Sequence, residues 1–383
     1  MQLFTEALKE RATDIHFEPQ EKGLRIRFRV DGILRDVPMP PALKFFKGAI
    51  ISRIKIMSEM NIAERRLPQD GRIEIKTGGR QIDCRVSVIT TLYGEGIVLR
   101  ILDKSAVLFG LEKLGMRPDT LKIFTNLISK PHGIILVTGP TGSGKTTTLY
   151  SALSKINLPE RKIITIEEPI EYHLAGINQI QVNAKIGLTF AKGLRHILRH
   201  DPNIIMIGEI RDLETAEIAI RASLTGHLVF ATLHTNDAAG AITRLIDMGI
   251  EPYLVASSVA GILAQRLVRL ICSSCKKAYK PDESYLKDLR LEINKGQVLY
   301  KGVGCDKCIN TGHYGRTGIY ELLTINEHLK KLIVQRAITS VIKSSAKESG
   351  MRTLRDDGWE KIKSGMTTID EIVKVTQEDE IVE

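Results

Sequence analysis

Residues 139–147 read Gly139, Pro140, Thr141, Gly142, Ser143, Gly144, Lys145, Thr146, Thr147. The run fits GxxxxGK[ST] and stands between an apolar stretch, IILVT, and a helical one, TTTLYSAL. Glycines at those steps let backbone amides curl around a phosphate chain, and the helix that follows points its positive end at the phosphates. On this reading Lys145 reaches the β and γ phosphates and Thr146 ligates Mg2+.

Acids and histidines recur where later apolar runs end. Asn203–Gly208 is followed by Glu209, an acid placed to polarise an attacking water or hold it through Mg2+. KIITI ends in Glu167 and Glu168, which either orient water as a carboxylate pair or form a solvated turn before Pro169. LVFATL lies between His227 and His234. A strand of that length spans about 23 Å, so the two histidines cannot share a site. His234, at the carboxyl end, is the candidate for the γ phosphate. His227, at the other end, reads equally as a packing or capping residue.

Arg25, Arg27 and Arg29 alternate with Ile26, Phe28 and Val30, and Arg35 follows a turn at Asp31-Gly32. The arginine row is either a solvated strand face or a set of cations reaching phosphates on another domain or subunit. Cys272, Cys275, Cys305 and Cys308 form two CxxC pairs with 29 residues between them. Two such turns supply four thiolates to one tetrahedral ion, so Zn2+ in a structural role is expected. Cys84 reads as a small buried apolar residue.

The elements that must position these groups are legible as periodicities. Leu3, Phe4, Ala7 and Leu8 suggest an opening helix. Strands are expected at Leu24–Val30, Ile33–Val37, Gly71–Ile75, Gln81–Val88 and Ile97–Leu102, with a helix over about 41–60. From Ile134 apolar strands alternate with helices, the signature of a parallel sheet with helices on both faces. The expected strands are Ile134–Thr138, Lys162–Ile166, Ile204–Ile207 and Leu228–Leu233. The expected helices are Thr146–Ile156, Thr189–His200 and Thr215–Leu224. From Ile325 the chain reads as helices ending in an acidic segment. The fold class is α/β.

Length and composition set the bounds. The chain has 383 residues, 43% of them hydrophobic, which suits two or three globular domains and excludes a disordered chain or disulfide miniprotein. No run of 18 apolar residues and no secretory leader occurs, so a cytosolic protein is expected. The net charge of +10 fits nucleic acid, an anionic membrane surface or nucleotide phosphates alike.

The set ATDIHFEP (12–19), RFRVDGILRDV (27–37), RRLPQDGRI (65–73), GPTGSGKTTTLY (139–150) and ITIEEPIEY (164–172) closely resembles the secretion ATPases of type II secretion and type IV pilus assembly. GLTFAKGLRHILRHDPNIIMIGEIRDLETAEIAIRASLTGHLVFATLHTNDA (187–238), TRLIDMGIEPYLVASS (243–258) and the two CxxC pairs extend the likeness over nearly the whole chain. The stretches after residue 222 look more like the type II secretion branch than the pilus extension one. The cysteine insertion sets the chain apart from the retraction ATPases.

The resemblance implies a RecA-like hexameric ATPase on the cytoplasmic face of the bacterial inner membrane, moving a membrane platform that assembles a pilus or pseudopilus. ATP, Mg2+ and Zn2+ are the implied cofactors. The implied partners are five further copies and the platform proteins, with peripheral membrane association through them and no specific nucleic acid. The implied domains are a PAS-like one at 1–104, a linker at 105–115, a RecA-like core at 116–270, a zinc subdomain at 271–312 and a helical region at 313–383. The Walker A residues fall on Lys145 and Thr146, the Walker B glutamate on Glu209, the acidic box on Glu167 and Glu168, and the histidine box on His227 and His234. The phosphate-reaching arginines fall on Arg27 and Arg29, with Arg25 and Arg35 as secondary candidates.

Two departures stand out. Glu168 occupies a position where the family has Asp, and the chain begins close to the PAS-like domain, without a preceding docking domain. It is expected to be either part of a longer protein or a member that lost that domain. Two other classes remain as rivals: a nucleic-acid translocase, which lacks a basic patch interleaved with aromatics here, and a small-molecule kinase, which lacks an evident acceptor site.

Overall fold

The computed structural model describes residues 2–38, 40, 46–77, 80–103, 110–281 and 297–376. The chain divides into two compact units, Met1–Val107 and Leu108–Glu383.

In the first unit α1 (Gln2–Lys9) precedes β1 (Ala12–Gln20), β2 (Gly23–Val30) and β3 (Ile33–Asp36). Then come α2 (Lys47–Met57), β4 (Gln69–Thr77), β5 (Arg80–Thr91) and β6 (Gly94–Asp103). The strands form one antiparallel sheet in the order β3-β2-β1-β6-β5-β4. The alternation read in β2 is real: Ile26, Phe28 and Val30 are buried, and their neighbours face outward. Asp31 and Gly32, at φ of 49° and 90°, make the tight turn to β3. Two left-handed residues match the twist of the flanking strands.

The helix expected over 41–60 is described as Lys47–Met57, and residues 41–45 lie outside the described residues. Its end has a local cause. Glu59 turns left-handed at φ 57°. The amides of Glu59 and Met60 then bond back to the carbonyls of Ile56 and Lys55 at 3.2 and 2.8 Å, which closes the helix before Met60.

The second unit begins with α3 (Pro118–Ile128), β7 (Gly133–Thr138), α4 (Lys145–Ile156), β8 (Ile163–Glu167), β9 (Asn178–Gln181) and α5 (Phe190–Ile197). It continues through β10 (Ile204–Ile207), α6 (Leu213–Leu224), β11 (Leu228–Leu233), α7 (Ala238–Asp247), α8 (Pro252–Ser258) and β12 (Val259–Ile271). A ribbon follows, β13 (Lys276–Tyr279) and β14 (Leu299–Gly302), then β15 (His313–Thr324). It closes with α9 (Glu327–Val334), α10 (Thr339–Glu348), α11 (Leu354–Lys363) and α12 (Ile369–Thr376).

The sheet order is β15-β12-β7-β11-β10-β8-β9, parallel except for β15. Every residue of β7, β8, β10 and β11 is buried, as strands covered on both faces require. Ile134 and Leu136 enter one apolar core, Ile135 and Val137 the other.

One expectation needs correction. The region from 313, expected to be helical, opens with the 12-residue strand β15. It pairs with β12 from Gly261↔Thr324 to Ile271↔His313 and completes the sheet. The pairing is long-range, and no local periodicity announces it. The acidic segment at 377–383 and residues 104–109 of the expected linker lie outside the described residues. Among the described residues no helix is long and apolar enough to cross a membrane.

Candidate functional site

The phosphate-loop residues join the end of β7 to the start of α4. Gly139, Gly142 and Gly144 take φ of 146°, 81° and 88°, conformations open to glycine and costly for other residues. At Gly139 space forbids a side chain as well, since a Cβ would lie 2.5 Å from the Gln265 carbonyl oxygen. Lys145 and Thr146 open α4, half-buried, and Thr147 is exposed. Lys145 Nζ donates to the carbonyls of Gly139 and Pro140 at 2.7 and 3.2 Å. The Ser143 hydroxyl is buried without a hydrogen-bond partner among the described residues. Left-handed glycines, an ammonium folded over the loop and a spare buried hydroxyl fit a phosphate-binding loop.

β10 carries Glu209 to the same edge. A Cβ on Gly208 would meet the Glu167 Cα at 3.2 Å, so glycine permits the approach of β10 to β8. Glu209 accepts from Arg211 Nη2 at 2.5 Å and lies 3.4 Å from His234 Nε2. Arg211 also reaches Glu168 at 2.9 Å. Burial lowers the Lys145 ammonium to about 8; Glu209 opposes the shift and Arg266 adds to it. Burial also lowers His234, helped by the Lys145 charge and opposed by Glu209. Lys145, Glu209 and His234, from three strand ends, therefore share one electrostatic neighbourhood.

Glu167 and Glu168 are not a pair. Glu167 is the last residue of β8, and Glu168 lies in the bend beyond it. Glu167, 3% exposed, accepts from Tyr150 of α4, from Thr165 at 2.6 Å and from Gln179 at 3.1 Å. Glu168 points to Arg211 instead. His227 stands at the opposite end of β11, its Nδ1 2.9 Å from the Ala222 carbonyl at the end of α6, the capping alternative. The structure does not bring it to the phosphate loop.

In the first unit Arg27 is paired with Glu18, and Arg29 donates to the Gly32 carbonyl at 2.9 Å. Arg25 is paired with Asp36 at 2.6 Å. The register adds what one strand could not reveal. Arg29, Asp14, Arg100, Arg85 and Arg72 face one another across five strands. Strand spacing puts Arg100, Arg85 and Arg72 about 5 Å apart in one row, and Asp14 separates Arg100 from Arg29. Asp14 accepts from Arg100 at 3.0 Å, yet the Arg100 side chain is still 54% exposed.

The tetracysteine set assembles as expected. The four sulfurs of Cys272, Cys275, Cys305 and Cys308 lie within 4.8 Å of one another, with neighbours 3.7 and 3.8 Å apart. A tetrahedron of thiolates around zinc has edges of about 3.8 Å, so the spacing fits the ion. Antiparallel pairing of β13 and β14 brings the two turns together. Burial raises the Cys308 thiol, but amides of Cys305 and Gly312, each 3.3 Å from Sγ, outweigh it and bring it down to about 6. Cys84 is buried, its thiol raised to about 12 by burial.

Sequence reasoning missed Gln265 and Arg266 on β12, and Arg211. The signal available was a polar pair breaking the apolar run VAGILAQRLVRLI, and a cation two residues after Glu209.

Comparisons with known proteins agree with this geometry. Residues 1–374 match the model of the family described as type II/IV secretion system protein. The type II secretion system protein E of Pseudomonas aeruginosa is 52% identical over 374 residues, covering 98% of this chain and 74% of that protein. The type II secretion system ATPase E of Vibrio cholerae is 51% identical, covering 97% of this chain and 74% of its own. Among solved structures, the pilus retraction motor PilT with bound ADP has a TM-score of 0.64 at 27% identity, covering 98% of this chain and 96% of its own. The Legionella pneumophila ATPase DotB has a TM-score of 0.72 at 21% identity, over 98% and 95%, and so shares the fold. The chain belongs to the type II/IV secretion system protein family.

Proposed function

We propose that the chain is the ATP-hydrolysing motor of a type II secretion system, a hexamer working at the cytoplasmic face of the inner membrane to drive pseudopilus assembly through the membrane platform. The convergence of Lys145, Glu209 and His234 at one edge of the parallel sheet carries this reading, and the identity to named secretion ATPases supports it.

In this reading residues 116–270 form a RecA-like core, 1–104 a PAS-like domain and 271–312 a zinc subdomain. Loop amides and Lys145 bind the β and γ phosphates. Thr146 holds Mg2+, which supplies charge neutralisation at those phosphates when bound. Glu209 orients the attacking water and takes its proton, while His234 faces the γ phosphate. Arg211 links Glu209 to Glu168 and holds the acid in place between turnovers. Glu167 ties β8 to α4 through Tyr150.

The arginine row of the first unit supplies cations to nucleotide held by another copy. Arg27 and Arg29 are the sequence candidates; the Arg100 side chain, 54% exposed against 23% for Arg27, joins them. The four cysteines hold Zn2+ as a structural ion, remote from chemistry.

Phosphate release from MgATP tests the reading. The wild-type chain is expected to turn over ATP, Lys145→Ala to lose nucleotide affinity, and Glu209→Gln to bind ATP and hydrolyse it poorly. Wild-type turnover by Glu209→Gln would remove that residue from the mechanism.

A further inference from the structure

The strand β12 outruns its neighbour. Ala264 pairs with Thr138, the last residue of β7, so Gln265 and Arg266, still paired with Tyr320 and Ile319 of β15, lie beside the phosphate loop on their other edge. Gln265, 1% exposed, donates from Nε2 to the Ser143 carbonyl at 2.7 Å. Arg266, 8% exposed, points the other way. Its Nη2 donates to the carbonyl of Asn236 at 2.8 Å, and its Nη1 to the carbonyl of Gln265 at 3.1 Å. That same Nη1 lies 3.2 Å from where a Cβ on Gly139 would stand. One guanidinium thus bonds the turn two residues past His234 and, beside Gly139, the carbonyl of Gln265, the residue whose side chain bonds the phosphate loop at Ser143.

Other bonds fasten that turn as well. Thr235 donates its amide to Thr138 Oγ1 at 2.9 Å. The amide of Ala238 donates to Glu321 at 2.8 Å. Arg266 holds the residue between them. Burying a cation is costly, and a neutral donor would serve a bond to one carbonyl. A planar fork with several donors, charged at every pH, can bond the carbonyls of Asn236 and Gln265 at once.

We propose that Arg266 is a positioning residue for ATP hydrolysis: it pins the turn carrying His234 to β12, whose Gln265 holds the phosphate loop at Ser143, keeping His234 and Lys145 at a fixed spacing. The inference rests on the reading of His234 as facing the γ phosphate. A reacting group displaced by about 1 Å loses on the order of 100-fold in rate, so the link matters without touching nucleotide.

The test is a double-mutant cycle on the full chain. Arg266→Met and Arg266→Lys are each made with and without His234→Ala. Turnover and KM for MgATP are measured alongside thermal unfolding. Arg266→Met is expected to lower kcat about 10- to 100-fold with KM changed by less than about 3-fold, and Arg266→Lys to recover part of it. In the His234→Ala background the same substitution adds less than about 3-fold, because the two act through one turn.

Equal losses in both backgrounds overturn the proposal while the reading of His234 stands. So does a loss confined to thermal stability with turnover per folded molecule intact. A His234→Ala protein with wild-type turnover removes the reading and the proposal together. Should Arg266→Met fail to fold, Arg266→Lys carries the cycle, and wild-type turnover in that variant together with an independent His234 effect overturns it.

Discussion

The nucleotide edge and the tetracysteine knuckle solve opposite problems. The knuckle gathers four like groups from two local turns, and its sulfurs stand at the spacing one ion needs. The nucleotide edge gathers unlike groups from four strand ends, and they neutralise one another. Arg211 occupies Glu209 and Glu168, and Lys145 folds onto its own loop carbonyls. The first geometry is complete within one chain. The second pairs its own charges, and in the proposed hexamer it would exchange them for phosphate, water and a neighbour's arginines.

The sharpest way to break this contrast is Glu209→Gln. Turnover should fall at least about 100-fold while ADP affinity stays within about 3-fold, by phosphate release and titration calorimetry. A parallel loss of binding would mean that Glu209 builds the site instead of acting in it.

Cys275→Ser probes the other region. Bound zinc, measured by elemental analysis, should drop from one per chain toward none, and the unfolding midpoint by about 10 °C. ADP affinity should hold to within about 3-fold. If it collapsed with the zinc, the two regions would not be separate.

Arg100→Ala should reduce turnover at least about 10-fold in the assembled protein, and Arg27→Ala less, since the Arg100 side chain is 54% exposed and that of Arg27 23%. The reverse order would return the role to β2.

A smaller effect concerns pH. Burial, opposed by Glu209 and aided by Arg266, sets Lys145 at about 8, below its ordinary 10.5. Phosphate favours the ammonium form. Below pH 8 that form is already present, and above it each pH unit should weaken ADP binding by up to about 10-fold. Binding that is flat from pH 7 to 9 contradicts the assignment.

The mildest probe is Tyr150→Phe, which removes one donor from the buried Glu167. It should cost about 1.5–3 kcal/mol of stability in denaturant titrations and leave turnover within about 3-fold. A large turnover loss would put Glu167 in the chemistry after all.

How much of this was legible in the sequence depended on how local the signal was. β10 and β11 carry continuous apolar runs that only a doubly covered strand tolerates, so their bounds and the strand-end Glu209 and His234 could be read directly. The CxxC turns are equally local. β12 and β15 were invisible because their stability comes from pairing with each other and with β7, and Gln265 and Arg266 went with them. Glu167 and Glu168 look alike in sequence and differ because β8 ends between them, Glu167 buried in the sheet and Glu168 in the bend beyond it. The arginine row needed a register across five strands, in which Asp14 and Arg100 are 86 residues apart.

The tetracysteine knuckle assembles within one chain, whereas the nucleotide edge is proposed to need its neighbours. MgATP turnover measured across size-separated species separates the two. Activity per chain should rise with assembly and peak in the hexamer, with zinc at one per chain throughout. A monomer as active per chain as the hexamer would contradict it.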